Sequence, residues 1–189
     1  MSVKRLWPYL AAAGVLTLAD QVLKLLARAN KELLVSGGGF RIPGFFALTF
    51  VENTGASYGF LRNVPNIHWF FVAVAILACA GIVWALKKDV FPIVPARWAM
   101  AAVMGGALGN ALDRIFFDGH VADYAKFTFA GPGPLNFIFN FADVCVVCGG
   151  VALILSTLLA KPKKEAAEAV PSAESALEPE EDSGGGAQE

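Results

Sequence analysis

Charged side chains are scarce in this sequence. Only 16% of the 189 residues are Asp, Glu, Lys or Arg, while 56% are apolar and the mean hydropathy is +0.56. A typical soluble domain carries about 25% charged residues. Half of the 16 acidic residues lie in the last 25 positions, so the shortage before them is deeper still. This composition argues against a water-soluble globular domain and indicates a small membrane domain with a polar appendage.

A strong basic excess is also missing. Residues 1–160 hold 12 Lys and Arg against 8 Asp and Glu, and we therefore expect no nucleic-acid binding. The tail, residues 163–189, is rich in Ala, Glu, Pro, Ser and Gly and has almost no large apolar residues. Such a segment cannot bury enough apolar surface to fold, so it is predicted to be disordered.

Histidine and cysteine are too few for several kinds of active site. The chain has two His and three Cys, and it contains no His-Glu-x-x-His zinc motif and no Ser-x-x-Lys arrangement. Cys145-x-x-Cys148 has no second pair and stands in an apolar run, which favours core packing over a metal or redox role. Carboxylates remain as the candidate catalytic groups.

Long apolar runs are abundant. Four segments have the roughly 20 apolar residues that cross a bilayer core of about 30 Å: about 6–29, 67–86, 98–117 and 139–160. Ala27-Arg28-Ala29 resembles a signal-peptide cleavage site. However, Asp20 and Lys24 lie inside the first segment and the segment is long, so a retained helix is favoured over a cleaved leader.

The distribution of Lys and Arg predicts the orientation. Both termini and the 87–97 loop share one side of a four-span chain, and that side has eight of these residues near the span ends against five on the other. Both termini are therefore expected in the cytoplasm, and segments 30–66 and 118–138 are expected to face outward. Residues 40–62 are aromatic and β-prone with Gly and Pro punctuation, which predicts a small sheet at the membrane surface. The turn-rich run 131–134 precedes the last span.

The predicted fold is therefore an all-α integral membrane protein with four transmembrane helices and a small outward-facing β-sheet. Residues 1–162 form the membrane domain and residues 163–189 the tail.

Ionisable groups inside a span cost roughly 2.5–3.5 kcal/mol each at its centre, so each needs an explanation. Five of them fall toward the outward ends of their predicted helices: Asp20, Lys24, Asp113, Arg114 and Asp143. Helical spacing places Asp20 with Lys24 on one face and Asn110 with Asp113 and Arg114 on another. Asn140 and Asp143 share a face if their helix has begun by Asn140.

Structural explanations remain open for these residues. Asp20–Lys24 and Asp113–Arg114 could be neutralising pairs that lower the cost of insertion. Asp143 could be an acid favoured by a helix N-terminus, and Asp123 alone would be an ordinary loop acid. The functional interpretation is paired-acid chemistry: two carboxylates in a partly dry site cannot both ionise easily, so one activates a water and the other donates a proton. This suits hydrolysis of an amide.

Five ordered motifs resemble those of lipoprotein signal peptidase, also called signal peptidase II. They are Asp20-Gln21-x-x-Lys24, Asn53-Thr54-Gly55-Ala56-Ser57-Tyr58-Gly59, Gly109-Asn110-x-x-Asp113-Arg114, Gly119-x-Val121-x-Asp123 and Phe139-Asn140-x-Ala142-Asp143. Each motif is weak alone, but five in order over nearly all of residues 5–160 are specific.

The resemblance implies an aspartic endopeptidase that cleaves prolipoproteins before a diacylglyceryl-modified Cys, with Asp123 and Asp143 as the catalytic pair. It implies no metal or other cofactor, inhibition by globomycin-type cyclic peptides, contact with membrane lipids, and a location in the bacterial inner membrane with the active site at the outer face. We expect a monomer. The matching supporting residues are Asp20, Lys24, Asn53, Asn110, Asp113, Arg114 and Asn140.

Specific roles follow as hypotheses. Asn53 and Asn140 would orient a carboxylate or bind the substrate backbone. Arg114, paired with Asp113, would hold the outward loop, a lipid or a carbonyl group. Asp20 with Lys24 would brace the first helix.

Three other functions fit parts of the pattern. An ion-coupled transporter would need ionisable groups near the midplane and broken helices or repeats. A lipid-binding assembly subunit would use the outward aromatic segment but gives no reason for two unpaired acids beside three asparagines. A presenilin-type protease shares the two-aspartate chemistry, but its Gly-x-Gly-Asp motif is absent from the sequence.

Overall fold

A computed structural model describes residues 3–55, 64–91, 93–129 and 137–159. Three predicted features lie outside these ranges: the disordered tail, the turn-rich run 131–134 and the second half of the Asn53–Gly59 motif.

Five helices and four short strands make up the described chain. The helices are α1 (Val3–Ala29), α2 (Lys31–Val35), α3 (Ile67–Lys88), α4 (Val94–Phe116) and α5 (Phe141–Leu159). The strands are β1 (Arg41–Ile42), β2 (Phe46–Asn53), β3 (Val121–Phe127) and β4 (Ile138–Phe139). Among the described residues, three helical stretches are long and apolar enough to cross a membrane: Arg5–Ala29, Ile67–Lys88 and Phe141–Leu159. The protein is therefore mostly helical with membrane-spanning helices and a small sheet.

Helix α4 is the centre of the bundle. It packs against α1, α3 and α5 and contains ten buried residues, more than any other described helix. Its sequence is rich in Ala and Gly, and it carries Arg97, Asp113 and Arg114, which makes it less apolar than α3 and α5. Because the other helices cover it, α4 needs less apolar side-chain surface than a helix that faces lipid.

Glycines on α4 allow the close approach of its neighbours. A Cβ at Gly105 would lie 2.9 Å from the backbone oxygen of Ala13 in α1, and a Cβ at Gly106 would overlap the backbone oxygen of Ala142 in α5. Thr17 of α1 adds a hydrogen bond of 3.0 Å to the Gly105 oxygen. Gly105 and Gly106 therefore lie at a three-helix junction of α1, α4 and α5.

The sheet is antiparallel with strand order β1-β2-β3-β4. Its first half comes from the aromatic segment that the sequence marked as β-prone, but β3 and β4 come from the second outward segment, where no strand was predicted. A register irregularity between Leu48 and Val51 bends β2. A cluster of Ala27, Leu34, Phe50 and Ala122 anchors the sheet to the end of α1.

The last helix begins later than predicted. Residues 138–139 pair with β3 instead of continuing the helix, and α5 starts at Phe141. Asn140 and Asp143 therefore do not share a helix face. Asn140 caps α5, and Asp143 lies in the first turn of that helix.

Gly106→Ala should destabilise the protein, because the added methyl group overlaps the backbone of α5 at Ala142. Overpacking of this kind costs about 1–3 kcal/mol. The midpoint of thermal unfolding in detergent should fall, whereas Gly81→Ala in α3, where a Cβ meets nothing within 4 Å, should leave it unchanged or raise it. Equal midpoints for the two variants would contradict the close packing of α4 and α5.

Candidate active site

Two acids from different elements line one cavity of about 450 Å³. Asp123 lies on β3 and Asp143 lies in the first turn of α5. The other lining residues are Asn53, Gly55, Phe71, Asn110, Arg114, Val121, Phe137, Ile138, Val146 and Val147. The fold thus brings the predicted catalytic pair and three of the predicted supporting residues to one opening between the sheet and the bundle.

The start of α5 holds Asp143 in place. The Asn140 side-chain oxygen accepts a hydrogen bond of 3.0 Å from the Asp143 backbone N–H, and the Asp143 carboxylate accepts one of 3.0 Å from the Asn140 backbone N–H. This reciprocal pair is a capping box built from Asn and Asp. The Asp143 carboxylate also accepts a hydrogen bond of 2.9 Å from the Asn110 amide. Its position at a helix N-terminus favours negative charge.

Asp123 is held by two side-chain amides. Asn140 donates to one carboxyl oxygen at 2.7 Å, and Asn53 donates to the other at 3.1 Å. The carboxyl is only 4% exposed. Burial, and after it the nearby Asp143 carboxylate, raises the pKa of Asp123 to about 6 against the lowering effect of the two amides.

Asn110 connects this pair to a buried ion cluster. Its amide nitrogen donates a hydrogen bond to Asp143. Its oxygen accepts a hydrogen bond of 2.7 Å from the Lys24 ammonium and one of 3.2 Å from the Asn140 amide. An ammonium donates only. Lys24 therefore fixes which end of the Asn110 amide faces it and directs the N–H groups of Asn110 toward Asp143.

The ion cluster lies where α1, α4 and α5 meet. Lys24 contacts Asp20 at 2.8 Å and Asp113 at 3.5 Å, and all three side chains are fully buried. Asp20 also accepts a hydrogen bond of 2.8 Å from the backbone N–H of Ala142 in α5. Arg28 completes the cluster at 3.0 Å from Asp113. These contacts tie α1 to both other helices.

Arg114 does not take the partner that the sequence suggested. Asp113 pairs with Lys24 and Arg28. Arg114 instead donates a hydrogen bond of 3.1 Å to the backbone oxygen of Gly55, just after β2. Its guanidinium also lies 4.9 Å from the Phe71 ring centre. The Arg114 Nε is buried without a hydrogen-bond partner among the described residues. Arg114 thus holds the end of β2 and presents an unused donor beside the acids.

In the described ranges, no three His, Cys, Asp or Glu side chains gather closely enough to hold a metal ion. The chemistry available there is that of two carboxyls, amide donors and one guanidinium.

Residues 12–159 match the family described as Signal peptidase (SPase) II. The chain belongs to the signal peptidase II family. Among curated relatives, the lipoprotein signal peptidase of Symbiobacterium thermophilum is 44% identical over 151 residues, which is 80% of this chain and 94% of the relative. That of Desulfitobacterium hafniense strain DCB-2 is 39% identical over 156 residues, covering 80% and 93% of the two chains.

A solved structure described as a bacterial membrane enzyme shares this fold, with a TM-score of 0.68 and 27% identity over 83% of this chain and 93% of that one. Membership of the signal peptidase II family identifies the protein as a membrane protease.

The sequence patterns of this signal peptidase II predicted no role for three polar residues that lie near the site. Gln21 donates a hydrogen bond of 3.0 Å to the Gly109 oxygen and one of 3.2 Å to Asp113. Arg28 forms an ion pair with Asp113. Tyr124 accepts a hydrogen bond of 3.2 Å from the backbone N–H of Phe141, the first residue of α5. Gln21 and Arg28 each stand one turn from Lys24 on α1, so helical spacing from Lys24 was the available signal.

Lys24→Ala should strongly destabilise this signal peptidase II, because it leaves Asp20 buried without its cation. Removing one partner of a buried ion pair costs about 3–5 kcal/mol. The matched control is Lys31→Ala, whose pair with Glu52 is exposed and which should change stability by at most about 1 kcal/mol. Thermal unfolding of both variants in detergent measures the difference, and similar midpoints would rule out a structural role for the cluster.

Proposed function

We propose that this protein is an aspartic endopeptidase that removes signal peptides from diacylglyceryl-modified prolipoproteins by cleaving before the lipidated Cys. Asp123 and Asp143 carry the reaction with one water. The observation that carries the proposal is the placing of two acids on one cavity, each held by asparagine amides, with Asn140 contacting both. Relatives 44% and 39% identical bear the name lipoprotein signal peptidase.

The two acids differ in a way that assigns their roles. Asp143 accepts two hydrogen bonds at a helix N-terminus, an arrangement that suits an ionised carboxylate and therefore a general base. Asp123, whose pKa is raised to about 6, holds its proton to a higher pH than an ordinary aspartate and is assigned as the general acid. Asp143 takes a proton from a water molecule while the oxygen of that water attacks the scissile carbonyl carbon. Asp123 protonates the carbonyl oxygen. Collapse of this adduct, with a proton passed to the departing nitrogen, breaks the peptide bond.

The cavity wall supports an extended, largely apolar substrate. Phe71, Val146 and Val147 line the side formed by α3 and α5, and Arg114 offers its free Nε–H near the acids. A substrate carbonyl would satisfy that donor and stop the peptide from sliding. The adjoining lipid would accommodate the diacylglyceryl group, because α3 and α5 are apolar helices.

Helix α4 is proposed as the fourth span. Its 23 residues exceed the roughly 20 that a bilayer core needs, and its polar residues are covered by its neighbours. With four spans both termini would lie on one side, and the Lys and Arg distribution favours the cytoplasm of a bacterial inner-membrane protein for that side, with the acids at the outer face. We expect the chain to act as a monomer, and globomycin-type peptides would occupy the same cavity.

Asp123→Asn and Asp143→Asn should each abolish cleavage of a lipidated prolipoprotein, measured as a mobility shift on a gel. The amide side chains keep the shape of the site but cannot exchange the proton, and loss of general acid or base catalysis costs about 10²–10⁴-fold or more. Asp118→Asn is the control, because Asp118 lies in the turn after α4 at φ +50°, a conformation that Asn adopts readily. Wild-type processing by either site variant, correctly inserted, would refute the assignment.

The pH dependence of kcat/KM tests the assigned roles. Because Asp123 must be protonated to act as the acid and has its pKa near 6, kcat/KM should fall as pH rises through about 6, approaching tenfold per pH unit. Burial raises the pKa of Tyr124 to about 12, so this neighbour does not titrate in that range. A rate that increases through pH 6 would instead make Asp123 the base.

A further inference from the structure

Two adjoining cavities lie on the side of the sheet away from the acids. One, of about 560 Å³, has Arg41 and Lys126 among its lining residues, and the other, of about 390 Å³, has four leucines of α1 and α2 among its lining residues. Leu34 and Leu48 line both, so the two cavities adjoin at these residues. Neither shares a lining residue with the catalytic cavity. The proposed cleavage reaction makes no use of them.

The first cavity is cationic because of the strand register. Ala47 on β2 pairs with Arg41 on β1 and with Lys126 on β3, so the three residues form one row across the sheet. Cross-strand neighbours point to the same face, and strands lie about 4.8 Å apart, which places the two cations roughly 10 Å apart at their Cα atoms. Ala47, which is buried, lines the cavity between them.

These two cations lack acidic partners among the described residues, and their surroundings suit a phosphate. Lys31, on the same side of the membrane, is instead paired with Glu52 at 3.4 Å. Thr49 and Thr128 also line the cationic cavity and supply two hydroxyl groups. Arginine and lysine with hydroxyl donors form the strong, charge-assisted hydrogen bonds by which proteins hold phosphate.

The second cavity leads from the lipid-facing surface to the cations. Its walls include Leu23, Leu26 and Leu33, whose side chains are exposed, and it reaches Tyr124 on β3. An apolar groove that starts on a membrane-spanning helix and ends at two cations has the polarity of a phospholipid, with an acyl chain at one end and a phosphate at the other.

We propose that these two cavities together bind one anionic phospholipid. Its phosphate lies between Arg41 and Lys126, and one acyl chain follows the leucine groove toward Tyr124. Successive strand residues face opposite sides. The lipid therefore contacts β3 at Tyr124, while Asp123 faces the catalytic cavity from the other side. This binding goes beyond the peptidase activity and does not depend on it.

Native mass spectrometry of the full chain in detergent tests the site. Titration with phosphatidylglycerol should give one bound lipid per chain, phosphatidylcholine should bind more weakly, and inorganic phosphate should not displace the lipid. Arg41→Gln combined with Lys126→Gln should weaken phosphatidylglycerol binding by roughly 10- to 30-fold, as expected for loss of two cations near a membrane surface. Ala47→Leu keeps both charges but fills the space between them, and it should weaken binding as well.

Lys31→Gln is the matched control, since it removes one outward cation outside the cationic cavity, and it should leave the affinity unchanged. Equal binding by the double variant and the wild type would overturn the proposal. Equal losses of phosphatidylglycerol affinity in Lys31→Gln and in the double variant would mean that general surface charge, and not a specific site, causes the effect. That result would also overturn the proposal. Displacement of the lipid by millimolar phosphate would show an anion site with no acyl-chain groove, which contradicts the proposed ligand.

Discussion

A single buried ammonium, that of Lys24, sets the geometry of the site. It contacts Asp20 on its own helix and both Asp113 and Asn110 on α4, and each of its donors therefore has an acceptor. A lysine buried this completely is stable only when it is paired and hydrogen-bonded. The positions of α1 and α4 are thereby fixed to each other, and the Asn110 amide that holds Asp143 is oriented by the same contact.

Local folding and the proposed catalysis use the same atoms at the start of α5. The Asn140–Asp143 capping box starts the helix, while Asn140 also binds Asp123 and Asp143 faces the cavity. The hydrogen bonds that cap α5 therefore also place Asp143 beside Asp123. The chemistry depends on main-chain geometry as much as on side-chain identity, which is how a small bundle positions two groups from separate elements.

Much of the bundle was predictable from sequence, because apolar runs of about 20 residues have few alternatives to a membrane helix. The clustering of Asp20, Lys24, Asp113 and Asp143 followed from their common depth. The sheet was only half predicted: β3 and β4 gain their stability from pairing with β2, which is a non-local interaction that local propensity does not reveal. Partner choice was also beyond sequence reasoning, since Asp113 pairs across helices with Lys24 and not with its neighbour Arg114.

The distribution of charge between α1 and α4 has a consequence for biogenesis. Helix α1 brings Asp20 and Lys24 as an internal pair one turn apart, so it enters the lipid with that acid already neutralised. The cations that pair with Asp113 lie on α1, which is synthesised first. Helix α4, with its buried acid, is thus made after the helix that supplies the cations, and the order of the helices along the chain is also a workable order of assembly.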